Sequence, residues 1–139
     1  MRNNRFYLAT LAYIVVTFII AASWHLATFK EVYEQLAIFT RKEPLIPLGL
    51  ISMVLQGLVV AYCYPRMRIE GTPVTKGLKF GLLMGVFLGS GAVFGEAGKQ
   101  EVTSLSTWLV LESVYYLLQF AIVGMVIGVM YGRLSADAG

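Results

Sequence analysis

The chain holds a single cysteine, Cys63, and a single histidine, His25. A lone thiol can form neither an intramolecular disulfide nor a thiol ligand set for a metal. Charge is also scarce. Only 14% of residues are Asp, Glu, Lys or Arg, against roughly 25% in a soluble domain. There is no HExxH, no CxxC and no nucleophile–base pair in a recognisable context, so the common hydrolytic, redox and zinc chemistries leave no signature.

Apolar residues are abundant: 58% of the 139 residues, with a mean hydropathy of +0.72. This composition belongs to an integral membrane protein. Four apolar stretches stand out, 7–24, 45–64, 77–94 and 107–131. Each is long enough for a hydrocarbon core that needs about 17–25 helical residues. They predict an all-α, polytopic membrane protein in which residues 1–139 form one four-helix domain. Arg2, Arg5 and the small-residue run Ala21-Ala22-Ser23 imitate a signal peptide. The apolar run between them is longer than a signal core, so it reads as a retained first helix.

The basic residues sit at the ends of the spans and set orientation. Arg2, Arg5, Arg66, Arg68, Lys76, Lys79 and Arg133 fall on one side; Lys30, Arg41, Lys42 and Lys99 fall on the other with five glutamates. The positive-inside rule places both termini in the cytoplasm of a bacterial inner membrane, with Trp24 and Trp108 at the outer interface. The sequence pI of about 9.1 is explained by this topology and calls for no nucleic-acid partner. The loop over 65–76, with Gly71 and Pro73, reads as a turn.

Between the first two spans, Phe29, Val32, Tyr33, Leu36 and Phe39 recur at steps of three and four. The period predicts an amphipathic outer helix lying on the membrane or capping the bundle. Continuation of the first helix outward past Trp24 satisfies the same pattern. Pro44 and Pro47 then open the second span.

Two glycine ladders mark packing surfaces: Gly77, Gly81, Gly85 and Gly89 in the third span, Gly124, Gly128 and Gly132 in the fourth. Small residues at this spacing let helix backbones approach closely. They predict that the third and fourth helices meet through their glycine faces. Phe80, Phe87 and Phe94 recur every seven residues roughly opposite, and are expected to face lipid or a looser neighbour.

Ionisable groups inside spans are costly, which makes Glu112 the leading polar candidate. It lies four residues past Trp108, about 6 Å further along the helix. Tyr115, Tyr116 and Gln119 continue a polar stripe, predicted to point away from Gly124 and Gly128. Two readings of Glu112 stand open: a proton-linked or cation-binding carboxylate, or one that reaches water or bonds a neighbouring Tyr or Gln. Gln56 and Gln119, each mid-span, suit interhelical amide hydrogen bonds. His25, Glu96 and Glu112 share the outer side and would be an acceptable metal-ligand set. No two of them are spaced for one helix face, so neither a metal nor a cofactor is expected.

With Trp24 in the first helix, the aromatic segment FKEVYEQL, a proline-opened second helix and the glycine-rich GLLMGVFLG, the layout resembles small four-helix bacterial membrane proteins of the domain-of-unknown-function type. The resemblance implies a fold and no activity. The functional expectation is a non-enzymatic accessory or assembly subunit that packs on other membrane subunits or on its own copies. The competing class is a small oligomeric channel or transporter built on the Glu112–Gln119 stripe. A membrane enzyme using His25 and the outer carboxylates comes third.

Overall fold

A computed structural model of the chain describes residues 2–38, 41 and 43–136, with the backbone alone described for 2, 3 and 133–136. Phe39 and Lys42, and the side chains of Arg2 and Arg133, thus lie outside the described residues. Among those described, all regular structure is helical. Helix α1 (Arg2–Ala21) continues through a π-helical segment, Ala22–Thr28; α2 is short (Lys30–Leu36); α3 (Ile46–Cys63) ends in a 3₁₀ turn, Tyr64–Arg66. Helix α4 (Pro73–Ser90) likewise runs into a π segment, Gly91–Gly95, and α5 covers Leu105–Ala136.

Four of these helices are long and apolar enough to cross a membrane: Asn4–Thr28, Ile46–Arg66, Pro73–Gly95 and Leu105–Gly132. Each extends beyond its apolar stretch, because local signals at the ends carry the helix further. At α4, Thr72 accepts a hydrogen bond from the Thr75 amide (3.3 Å), and Pro73 occupies the first turn, where its missing N–H costs nothing. Both expectations for the outer connection are met in part. The first helix passes Trp24 and breaks at Phe29, and a separate α2 then buries Tyr33 and Leu36.

Helices α4 and α5 form the most extensive contact, while α1 packs on both α5 and α3. A Cβ added at Gly77 would overlap the carbonyl oxygen of Gly124, and one at Gly124 would overlap that of Gly77. The two glycines therefore aim Cα hydrogens at each other's carbonyls, a contact worth about 0.5–1 kcal/mol each way. Gly81 meets the Phe120 carbonyl and Gly128 the Pro73 carbonyl in the same fashion. Toward the far end the seam changes character. Gly85 and Gly89 receive Phe120 and Tyr116, with Cβ approaches of 3.1 and 3.0 Å, so the ladder meets glycine over only half its length.

The phenylalanine stripe divides as well, and here the expectation is corrected. Phe87 and Phe94 are exposed, but Phe80 is buried with Tyr13, Val60, Phe120, Val123 and Ile127. Its level along the helix decides this: near the start of α4, the end of α3 swings Tyr64 edge-on to Phe80 (5.2 Å). A further small-residue contact escaped the sequence reading. Gly57 of α3 lies against Thr10 and Tyr13 of α1, where a Cβ would come within 3.2 Å.

Alanine substitutions should separate seam glycines from open ones. Gly124→Ala, whose Cβ would come within 2.8 Å of the Gly81 Cα, should lower the detergent melting temperature sharply. Gly49→Ala and Gly91→Ala, with nothing within 4 Å, should be neutral or stabilising by up to about 1 kcal/mol. Equal effects at all three positions would refute the seam.

Candidate functional site

The end of the bundle opposite the chain termini is closed by α2 and by the connection over 96–104. Thr103 ties the two together, its N–H donating to the Leu36 carbonyl (3.2 Å) and its hydroxyl to that of Gln35 (2.7 Å). Beneath this cap lie both tryptophans. Trp108 is buried and donates its indole N–H to the Val93 carbonyl (3.0 Å). Trp24 packs on Phe29 (4.5 Å) and Tyr115 (5.8 Å). Trp108 is core of the cap, and half-buried Trp24 packs against that core.

The π segment explains how Trp24 and His25 both reach this core. On a regular helix consecutive residues diverge by about 100°. The wider i→i+5 turn, seen where the Phe29 N–H bonds the Trp24 carbonyl (2.9 Å), brings both toward α5. Such π turns recur at functional sites.

Glu112 sits at the centre, only 5% exposed. Its Oε1 accepts a hydrogen bond from the Tyr33 hydroxyl, and Tyr33 in turn accepts from Trp24 Nε1 (3.0 Å). His25 Nε2 lies 3.4 Å from the same carboxylate oxygen. The imidazole is enclosed by Tyr33 (4.7 Å between ring centroids) and Tyr115 (4.5 Å, edge-on). Burial, and then the hydrogen bond to Glu112, push the Tyr33 hydroxyl well above its usual value. It stays protonated and donates.

Donors and acceptors here can be counted. The Ala21 carbonyl can only accept, so His25 Nδ1, 3.1 Å away, carries a hydrogen. His25 Nε2 on the other side of the ring faces the carboxylate oxygen that Tyr33 also reaches, so Glu112 gathers two side chains from separate elements.

Other sequence-predicted residues distribute unevenly. Tyr115 and Gln119 are buried on the side of α5 that faces α1, with Glu112. Tyr116 does not belong to that stripe: it packs on Gly89, because it lies only about 80° around the helix from Gly124. Gln56 accepts from Tyr13 (2.7 Å) and donates to Ser52 (3.1 Å). Gln119 makes no comparable bond, and its Oε1 is buried without a partner. Glu96 accepts from Gln100 (3.0 Å). It does not join His25 and Glu112, and among the described residues no three His, Cys, Asp or Glu gather as a metal-ligand set. Sequence reasoning missed Tyr33 as the partner of Glu112, and the line Thr10, Tyr13, Thr17 on α1. The three-and-four spacing of that line was the available signal.

Comparison with protein-family models, curated proteins and solved structures finds no match.

Tyr33→Phe should destabilise the cap by roughly 1–3 kcal/mol, by leaving Glu112 short of a donor. Because the folded Tyr33 resists ionisation while an unfolded tyrosine ionises near pH 10, its contribution is full below about pH 10 and declines as pH rises further. Amide exchange of α2 should show that alkaline loss in the wild type and a smaller one in Tyr33→Phe.

Proposed function

We propose that this chain is a non-enzymatic multi-pass protein of the bacterial inner membrane, with both termini in the cytoplasm, acting as an accessory or assembly subunit. The carrying observation is the inward orientation of Glu112. Its carboxylate holds α2 and the π segment of α1 together within one chain. A channel formed by several copies around the Glu112–Gln119 stripe would need those side chains on an outer face, whereas both are buried. What the fold offers outward is apolar: Leu48, Ile51, Leu55 and Val59 of α3 are all exposed, and α3 packs chiefly on α1. Such a surface suits lipid or the helix of another subunit.

A second reading has its own support. Gln119 Oε1 is buried without a partner two turns along α5 from Glu112. An unmet polar atom of this kind, buried in a helix of transmembrane length beside a buried carboxylate, suits a proton-linked transporter working within one chain.

Purification in mild detergent after in-cell crosslinking decides between them. The accessory reading expects a stoichiometric partner subunit, and a lone monomer counts against it. Proteoliposome flux abolished by Glu112→Gln would establish the transporter instead.

A further inference from the structure

The end of the bundle that carries both termini holds a cavity of about 440 Å³ between the 65–72 connection and the last turns of α5. Tyr64 and Tyr131 supply its rings, Gly128 and Gly132 its bare backbone, and Arg68 and Lys76 its charge. Both glycines lie against Pro73, so α5 comes close enough to the start of α4 to form one wall of the cavity. The two tyrosine rings lie 5.3 Å apart, and Tyr131 is anchored by donating to the Ala61 carbonyl (3.0 Å).

Among the described residues no carboxylate pairs with Arg68 or Lys76 of this cavity. Among the described residues the ion pairs are His25–Glu112 and Lys30–Glu34, both at the opposite end. Glu70 is the only acidic residue between 64 and 95. It contributes its backbone carbonyl to Lys79 (3.2 Å), and its carboxylate does not line the cavity. Arg66 is held over the Tyr62 ring, 3.6 Å from its centroid, with Nη1 on the Tyr62 carbonyl (2.6 Å).

We infer that this cavity binds the phosphate of an anionic phospholipid, with Arg68 and Lys76 as its charged contacts. The inference rests on the membrane reading proposed above. Basic pockets between helices on the cytoplasmic side are suited to lipid phosphate. The exposed apolar faces of the adjoining helices give the acyl chains a path, which a free phosphate has no use for.

The test uses the full chain in mild detergent, titrated with phosphatidylglycerol, phosphatidylcholine or inorganic phosphate while its melting temperature is followed. Phosphatidylglycerol near saturation should raise the midpoint by roughly 3–5 °C, and phosphatidylcholine should not. Arg68→Gln with Lys76→Gln should abolish the rise, and each single variant should weaken binding roughly fivefold. Lys99→Gln, at the other end, should leave it intact. The single variants also keep the test open if the double variant does not fold. A rise that survives the double substitution, or is matched by phosphatidylcholine or by inorganic phosphate, overturns the proposal. A chain that fails to partition with membranes overturns the membrane reading instead, so the two failures are distinguishable.

Discussion

The backbone-to-backbone contact of α4 with α5 is the constraint on which the rest of the fold depends. Gly77 and Gly124 leave no room for even one methyl group between them, so the two helices are fixed in register and rotation. Once α5 is held this way, its opposite side is committed to α1, and the residues there must be compatible with burial. The seam also ends where it must. Beyond Gly89 it gives way to Tyr116 and then to Trp108 on Val93, which marks the floor of the cap.

Two chemistries are thereby separated on one helix. The face of α5 toward α4 is bare backbone and aromatic carbon; the side toward α1 carries Glu112, Tyr115 and Gln119. A buried carboxylate is tolerated only when its charge is met by donors. Tyr33 comes from the cap and His25 from the π segment, so the partners arrive from two elements far apart in the chain. The cap is consequently tied to the bundle beneath it through one carboxylate.

Much of this was legible in the residue pattern. Four apolar runs of sufficient length fix the number of long helices, and glycine spacing identifies which pair packs most closely. The period of Phe29, Val32, Tyr33 and Leu36 foretold α2. The rest depended on position along the helix axis, which a helical wheel discards. Phe80 and Phe87 share a face, yet one is buried and the other exposed because only Phe80 lies level with Tyr64. Tyr116 fell on the wrong side of a boundary because a difference of tens of degrees decides which neighbour it meets.

What the amino-acid sequence determined by itself was the class of the protein: hydropathy and helical period act locally, and neither needs a partner to be read. It also determined that glycine, rather than a large side chain, would stand at the closest helix contact. Tertiary structure alone decided which polar groups meet. The separation of 79 positions between Tyr33 and Glu112 leaves no local signal of that hydrogen bond, because it is made by the crossing of elements whose own periods are set by apolar packing.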